Sequence, residues 1–591
     1  MRVSDTNSGA PGSGIPSLEE MQHWTRILGQ AQQLMLEHGF GAMQPSETMT
    51  GFGALPAIPG FTDPDTIRRT QDFWRESANL WKRLLDPALA PAPERPEQAA
   101  DRRFKDPRWH DSPVFDWIRR SYFLISDQLL SGVDALPAGA GGLDPKQKEQ
   151  LRFITRSFVD AMSPTNFPAT NPLVLEKTIE TGGENLIKGL QNILADLSKG
   201  QMTQSEAGAF ELGRNLATTP GKVVHRTPLY ELIQYAPATP SVMTTPVLFF
   251  PPWINRFYIL DLDPAKSLIR WAVEQGLTVF VVSWRSADAS MKDIVWDDYV
   301  AAQLDAIDTI RAGLDVPAVH AVGYCVGGTT LAATLALLAE RGEADTVRSA
   351  TFFTTQVDFT EAGDLLHFVD DEQLALFKTL TPDGFLDGRY MAATFNLLRG
   401  RDLIWNYVTS NYLLGQDYLP FDMLHWNGDT TNLPAKWHLS YLTDLYRDNL
   451  LATPGALSVC GTPIDLTRIK TPAYIQAGRE DHIAPARSVW KLQSHFAGPV
   501  RFVLAGSGHI AGVINPPTSG KYQFWVNPEQ TDSLDAFIAG AKETRGSWWP
   551  DWVEWLRQQD PESVQADGAR VPGNGTLSAL EDAPGSYVRT R

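Results

Sequence analysis

Residues 318–332 constrain the fold more than any other stretch, because they combine a strand, a very tight turn and a helix. Apolar residues at positions 319, 321 and 322 are typical of a short buried strand, and leucines at 331, 335 and 338 recur with the spacing of one helical face. Between them lies the pattern Gly-x-Cys-x-Gly, a nucleophile elbow centred on Cys325. The stretch predicts that Cys325 follows a strand and directly precedes a helix.

The two glycines of this pattern are required for steric reasons. Side chains at Gly323 and Gly327 would collide with the adjoining strand and helix. The turn also directs backbone N–H groups and the positive end of the helix at whatever Cys325 attacks. A cysteine at the end of a buried strand can instead be a small core residue. We favour the catalytic interpretation because strand, turn and helix occur together.

Strand and helix patterns alternate on both sides of the elbow. This alternation predicts a mainly parallel, doubly wound sheet, in which active sites gather at the carboxyl ends of the strands. Cys325 lies at one such end. The predicted strands are residues 246–250, 277–284, 319–322, 349–353, 472–477 and 500–504.

The chain before the first strand has a different character. Residues 17–210 show helical spacing without strand patterns and predict a separate, all-helical N-terminal domain. Residues 1–16 are rich in glycine, serine and proline and are predicted to be disordered. Residues 211–591 form the predicted catalytic domain, of which residues 560–591 are expected to be a flexible tail.

The alternation breaks over residues 360–449, a stretch that is aromatic-rich and helical or irregular. Insertions of this length are usually functional, so the stretch predicts a helical cap over Cys325. The alternative is additional core packing. If the cap covers Cys325 in the resting protein, part of it must move before substrate binds.

Charge and cysteine content limit the function and the compartment. The formal net charge of −18 argues against a nucleic-acid-binding protein. The two cysteines, Cys325 and Cys460, cannot form a disulfide framework and fit a reducing compartment. The N-terminus lacks an apolar signal-peptide core, and no stretch approaches the roughly 20 apolar residues of a membrane span. We therefore expect a soluble, cytoplasmic protein.

Two further residues complete a candidate catalytic triad. Asp481 and His509 each lie in a loop after a predicted strand, and the chain order Cys325, Asp481, His509 is that of α/β-hydrolases. Only a few per cent of free thiols are ionised near neutral pH, so a base is useful. His509 is the histidine in the right loop, and Asp481 would orient it and stabilise its charge. No metal ligands are predicted.

Two other residues are alternatives to Asp481 as the acid of the triad, and two backbone N–H groups are candidates for the oxyanion hole. Asp358 follows the strand after the elbow, where some hydrolases place their acid, and Glu480 precedes Asp481. The oxyanion hole would consist of the backbone N–H of Val326 and one from the turn at residues 253–255, for which Ile254 is the candidate.

Several motifs resemble the polyhydroxyalkanoate synthases from about residue 100 to 556; the match is weak outside these bounds. Tyr324 and Val326 beside the cysteine, and the long N-terminal domain, resemble class I enzymes, which use short-chain monomers and need no second type of subunit. The medium-chain class typically has a small residue and a serine at these positions. The motifs are Asp-Pro-Arg-Trp, Pro-Pro-Trp-Ile-Asn-Arg-Phe-Tyr-Ile-Leu-Asp-Leu, Gly-Tyr-Cys-Val-Gly-Gly, Arg-Glu-Asp-His-Ile, Gly-His-Ile-Ala-Gly-Val-Ile-Asn-Pro-Pro and Gly-Ser-Trp-Trp-Pro-Asp-Trp.

The resemblance implies an α/β-hydrolase fold and polymerisation of (R)-3-hydroxyacyl-CoA, such as 3-hydroxybutyryl-CoA, through an acyl-Cys325 intermediate. Thiol chemistry supports this independently, because a thiolate attacks thioesters readily and the acyl-cysteine remains a thioester that can acylate a hydroxyl. CoA is then a product, and no cofactor is expected. His482 and Arg399 are candidates for contacts with substrate or CoA, although Arg399 can also be a solvated surface residue.

The resemblance also implies partners and a location. These are the growing polyester chain, a second copy in a homodimer, granule-associated proteins bound through the N-terminal domain, and the polymer granules themselves. Asp481 has two possible duties, holding His509 or helping to deprotonate the incoming hydroxyl, and both stay open. The alternatives to polymerisation are a cysteine-dependent thioesterase or lactone hydrolase, and a catalytically silent scaffold on the granule surface.

Overall fold

The computed structural model describes residues 64–86, 89, 94–139 and 142–591, which form two compact units. The first, here the helical unit, contains the described residues up to Gln204 together with Arg399–Tyr418. The second, the sheet unit, contains Ser205–Leu398 and Leu419–Arg591. The predicted disordered segment 1–16 lies outside the described residues.

The helical unit is built from amphipathic helices around a small aromatic core. Phe104 and Trp109 meet edge to face with ring centroids 4.9 Å apart, and Phe123 packs against the same cluster. As the sequence predicted, the described residues before Ser205 form no strand ladder. The helices are α1 (Pro64–Leu85), α2 (Pro96–Ala99), α3 (Arg108–Asp111), α4 (Pro113–Asp134), α5 (Pro145–Ala161), α6 (Pro172–Glu180) and α7 (Glu184–Lys199).

The expected cap over residues 360–449 is not a single body, which differs from the predicted domain division. Its middle part, Arg399–Tyr418, belongs to the helical unit. Gly189 of α7 explains the association, since a β-carbon there would lie 1.6 Å from the backbone oxygen of Tyr412. The side-chain amide of Asn185 also donates to the backbone oxygen of Leu413 at 2.8 Å. The absence of a side chain at Gly189 therefore lets a segment more than two hundred residues away in sequence pack closely against α7.

The sheet unit is organised around an eleven-stranded sheet of order β15-β14-β13-β12-β7-β6-β4-β5-β2-β1-β17. Its central strands, from β13 to β5, run parallel, which confirms the predicted mainly parallel sheet. The strands are β1 (Gly221–Arg226), β2 (Tyr230–Tyr235), β3 (Ser241–Met243), β4 (Val247–Phe250), β5 (Val279–Trp284), β6 (Val319–Tyr324), β7 (Val347–Phe353), β8 (Phe385–Leu386), β9 (Leu433–Pro434), β10 (Ser458–Val459), β11 (Thr462–Pro463), β12 (Ala473–Gly478), β13 (Val500–Ala505), β14 (Gln523–Val526), β15 (Lys542–Arg545), β16 (Ser563–Gln565) and β17 (Glu581–Asp582).

Helices cover the sheet and bury β4, β5 and β6 completely. Both faces carry a hydrophobic core, as expected for a parallel sheet with helices on either side. The helices are α8 (Leu268–Glu274), α9 (Trp296–Leu314), α10 (Val326–Arg341), α11 (Asp371–Thr379), α12 (Gly388–Leu398), α13 (Asp422–Gly428), α14 (Ala435–Ser440), α15 (Ala486–Trp490), α16 (Leu492–His495), α17 (Leu534–Gly540) and α18 (Trp549–Gln559).

Residues 560–591, predicted to be a flexible tail, are instead part of the packed sheet unit. β16 pairs with β3, and β17 extends the main sheet by pairing with β1. Val588 is buried, and the carboxylate of Glu231 accepts hydrogen bonds from the Ser586 hydroxyl at 2.9 Å and the Tyr587 backbone N–H at 3.0 Å. Backbone pairing and a buried carboxylate therefore order a segment whose composition alone suggested flexibility.

Candidate active site

The elbow has the geometry that its glycines predicted. Cys325 lies between β6 and α10 with a positive φ of 52° and a ψ of −125°, a strained conformation that costs a non-glycine residue about 1–3 kcal/mol. A β-carbon on Gly323 would lie 2.4 Å from the α-carbon of Gly328, and one on Gly327 would lie 2.3 Å from the backbone oxygen of Phe250. The turn therefore presents the half-buried thiol of Cys325 at the carboxyl edge of the sheet.

Two adjacent strands bring Asp481 and His509 together. Asp481 follows β12 and His509 follows β13, and Nδ1 of His509 lies 2.7 Å from Oδ2 of Asp481. The second carboxylate oxygen of Asp481 accepts from the backbone N–H groups of Ile483 and Ala484 at 2.8 and 2.9 Å. Both oxygens are occupied, so the carboxylate is fixed in the orientation that holds the imidazole.

His509 also contacts the thiol of Cys325. Burial by itself lowers the pKa of His509, but the charge of Asp481, the charge of a Cys325 thiolate and hydrogen bonds to both residues raise that pKa to about 10. The imidazole is therefore protonated near neutral pH when Cys325 is ionised. This arrangement can supply a thiolate for attack and a proton for a leaving group.

The two alternative acids have other partners. Asp358 accepts from the Thr360 backbone N–H at 3.0 Å and lies 3.6 Å from both Lys491 and His495. Glu480 is exposed, and its carboxylate accepts from the backbone N–H of Ser507. Of the three acids, Asp481 alone is hydrogen-bonded to His509 among the described residues.

The candidate oxyanion donors flank the elbow. Val326 is the first residue of α10, whose N-terminus lies against the end of β4 because Gly327 has no side chain. The turn after β4 contains Ile254, whose backbone N–H has no acceptor among the described residues. Val326 directly follows Cys325, and the backbone oxygens of Phe250 and Pro251, which precede the turn of Ile254, lie against Gly327. The oxyanion hole itself stays a prediction.

The two candidates for contacts with substrate or CoA belong to different units. His482 follows Asp481 directly and is half-buried. Arg399 belongs to the helical unit, where its guanidinium is exposed and paired with Asp402 at 2.6 Å. These contacts are those of a solvated surface residue, and the role of Arg399 in binding substrate or CoA stays a prediction.

Part of the expected cap lies beside the thiol. The π-helical turn Tyr441–Arg447 follows α14, and burial together with the charge of Cys325 raises the pKa values of Tyr441 and Tyr446. The ring of Tyr441 stacks on Trp437 with centroids 5.0 Å apart, and Trp437 meets Trp253 edge to face at 4.8 Å. Aromatic packing therefore ties this part of the insertion to the turn that carries Ile254.

Sequence reasoning missed the contact that Tyr324 makes with the candidate base. Its hydroxyl donates to the backbone oxygen of His509 at 3.0 Å, and the two rings stack with centroids 5.6 Å apart. Tyr324 precedes the nucleophile, but only the tertiary fold reveals this contact.

We expect Tyr324→Phe to lower the free energy of unfolding by about 1 kcal/mol, because one buried hydrogen bond is lost. It should also slow attack by Cys325 several-fold, since the loop of His509 loses an anchor. Tyr474→Phe is the matched control, as its hydroxyl donates to Asp551 at 3.0 Å away from the thiol. Denaturant unfolding and the first-turnover rate separate the two effects; equal rates in both variants would contradict a positioning role.

The described residues contain one cluster with the geometry of metal ligands, in the helical unit. It comprises Glu94, His110 and Asp116. Arginines already neutralise both carboxylates, because Arg119 and Arg120 each contact Glu94 and Asp116. The cluster is an ion-pair network and lies outside the sheet unit. None of the described helices combines the length and the apolar character needed to cross a bilayer.

Comparison with known families agrees with this architecture. A family profile described as the poly-beta-hydroxybutyrate polymerase (PhaC) N-terminus matches residues 100–272, and the alpha/beta hydrolase fold profile matches residues 238–516. The second match confirms the predicted α/β-hydrolase fold. It spans the elbow, Asp481 and His509.

Similar proteins cover almost the whole chain. The poly(3-hydroxyalkanoate) polymerase subunit PhaC of Rhizobium meliloti (strain 1021) is 44% identical over 87% of this chain and 84% of its own length. The poly(3-hydroxyalkanoate) polymerase of Methylorubrum extorquens is 42% identical over 98% of this chain and 92% of its own. The corresponding PhaC subunit of Cupriavidus necator is 42% identical over 88% of each chain. At this identity and coverage, the chain belongs to the poly(3-hydroxyalkanoate) polymerase family.

Proposed function

We propose that this chain polymerises (R)-3-hydroxyacyl-CoA thioesters, short-chain ones such as 3-hydroxybutyryl-CoA in particular, and releases CoA. The observation that carries the proposal is His509, which bridges Asp481 and the thiol of Cys325 at a strained elbow. The names of the relatives support the same reaction.

The first half-reaction loads the enzyme. The Cys325 thiolate attacks the thioester carbonyl, and the oxygen takes the negative charge beside the N–H groups of Val326 and Ile254. The carbonyl then re-forms, the bond to the CoA sulfur breaks, and His509 gives its proton to the leaving thiolate. The product is an acyl-Cys325 thioester and free CoA, so CoA acts as a leaving group rather than a resident cofactor.

The second half-reaction makes the ester. The 3-hydroxyl of another unit loses its proton to His509 and attacks the carbonyl of the acyl-Cys325 thioester. The ester bond forms, the bond between the carbonyl carbon and the sulfur of Cys325 breaks, and the Cys325 thiolate leaves beside the protonated His509, so the product is one unit longer. The hydroxyl is much less acidic than a thiol, so this step depends more strongly on the base. Asp481 serves here by stabilising the imidazolium that forms. The buried side chains of Tyr441 and Tyr446 lie beside the thiol and limit the access of competing water.

The proposal includes action at the surface of polymer granules. Helix α7 supports it with an exposed apolar stripe of Ile187, Leu190 and Leu194 in the helical unit. Binding of granule-associated proteins through the N-terminal domain is part of the same proposal. The homodimer stays a prediction, which sedimentation velocity of the purified chain tests.

Incubation of the purified chain with (R)-3-hydroxybutyryl-CoA tests the reaction. We expect CoA release together with an insoluble polyester, detected as methyl 3-hydroxybutyrate after methanolysis of the washed solid. CoA release with only free 3-hydroxybutyrate would identify a thioesterase. Absence of both CoA release and polyester would indicate a catalytically silent scaffold. A parallel reaction with a medium-chain 3-hydroxyacyl-CoA should be markedly slower if the short-chain assignment is correct.

A further inference from the structure

The turn after β4 is fixed by one segment of the insertion. The hydroxyl of Thr431 donates to the backbone oxygen of Trp253 at 2.7 Å and accepts from the backbone N–H of Asn255 at 2.9 Å. Asn255 has a left-handed φ of 67°. A single side chain thus bridges both sides of Ile254, whose own N–H stays without an acceptor among the described residues.

Arg256 holds the C-terminal end of this turn in place through hydrogen bonds. Its guanidinium is buried and donates to Asp429 at 2.7 Å and to the backbone oxygens of Val588 and Thr590, both at 2.8 Å. Its backbone oxygen accepts from the indole N–H of Trp426 at 2.7 Å. A buried guanidinium is tolerated only when its donors are paired, so the three chain segments it joins hold one another in place.

We infer that Thr431 and Arg256 are positioning residues that hold the Ile254 N–H as a preformed donor for the oxyanion created when Cys325 attacks a thioester. This inference rests on the proposed function. A donor stabilises developing charge most when it needs no reorganisation during the reaction. Thr431 acts directly on the peptide groups that flank Ile254, whereas Arg256 acts one step further away through Asp429 and residues 588–590.

Two reactions of the same thiol separate this role from that of the triad. Attack on a thioester forms the sulfur–carbon bond and moves the carbonyl π electrons onto oxygen, which needs the donor. Alkylation by iodoacetamide forms a sulfur–carbon bond and expels iodide, and no oxyanion appears. Both reactions need the Cys325 thiolate, so only the first should depend on the turn.

Thr431→Val keeps the shape of the side chain and removes both hydrogen bonds of the hydroxyl. We expect the first-turnover release of CoA to slow about 10²-fold, the loss typical of one oxyanion donor. The rate of Cys325 alkylation should stay within about twofold of wild type. Thr431→Ser restores the hydroxyl and should recover most of the acylation rate, while Arg256→Lys should give an intermediate loss.

Thr219→Val is the matched control, because Thr219 is also a buried threonine and its hydroxyl donates to Asp261 at 2.5 Å. It should lower stability and leave the acylation rate unchanged. Wild-type acylation in Thr431→Val, or an equal loss of alkylation, would overturn the inference. If Thr431→Val does not fold, Arg256→Lys is judged by the same two rates. Failure of the wild-type chain to react with the thioester would refute the proposed function instead.

Discussion

Cys325→Ala is expected to abolish CoA release from (R)-3-hydroxybutyryl-CoA, with a loss on the order of 10⁶-fold as for other deleted nucleophiles. No other thiol can substitute, because the second cysteine, Cys460, lies between β10 and β11 rather than in the elbow, with its sulfur 3.8 Å from the backbone oxygen of Asp297. Burial raises the pKa of Cys460, which further lowers its reactivity. CoA release under substrate saturation measures the effect.

Cys460→Ser is the control for Cys325→Ala. This substitution also removes a thiol sulfur, but outside the elbow, and the variant should retain most of the activity. Cys325→Ala should unfold at a denaturant concentration close to that of wild type, since alanine fits the space of the thiol. Substantial CoA release by Cys325→Ala, or loss of release in Cys460→Ser, would overturn the assignment of the nucleophile.

Asp481→Asn should separate the loading of the enzyme from elongation. Asparagine can keep the hydrogen bonds from Ile483 and Ala484, but it removes the charge that helps to raise the pKa of His509 to about 10. The imidazole is then a weaker base and can adopt the wrong tautomer, which costs about 10⁴-fold in related serine triads. A thiol nucleophile depends less on an ideal base than an alcohol does.

We therefore expect Asp481→Asn to release about one equivalent of CoA per active site in a burst and then to stall. Rapid-quench measurement of CoA over the first turnover gives the burst amplitude and both rates. Glu480→Gln, the adjacent carboxylate that contacts Ser507 rather than His509, should behave like wild type. If Asp481→Asn shows no burst and loads as slowly as it turns over, Asp481 acts on His509 in both steps alike.

The elbow could be predicted from sequence because its determinants are local. Gly323 and Gly327 leave room where a β-carbon would overlap the backbone, and the neighbouring residues carry the strand and helix periodicities. The order of the parallel strands then places Asp481 and His509 next to each other, since β12 and β13 are adjacent. Short-range patterns and the alternation of strands and helices thus determine this part of the site.

Other features depend on contacts that no local pattern encodes. β17 has only two residues, and it pairs with β1 more than three hundred residues earlier in the chain. Such a short, long-range pairing leaves no local pattern, and composition alone therefore predicted a flexible tail. The association of residues 399–418 with the helical unit depends on long-range contacts, such as the close approach of Tyr412 to Gly189 and the hydrogen bond from Asn185 to Leu413. Tyr324 and Thr431 act through backbone groups of distant loops, and their side chains match no motif.

The central claim is that Cys325 carries the acyl group, and peptide mass spectrometry after a millisecond quench tests it most directly. After one turnover with (R)-3-hydroxybutyryl-CoA, the peptide that contains Cys325 should gain the mass of one 3-hydroxybutyryl unit, and hydroxylamine should remove it as expected for a thioester. Under the same quench, an unmodified Cys325 peptide during CoA release, or an acyl group on another residue, would contradict the account.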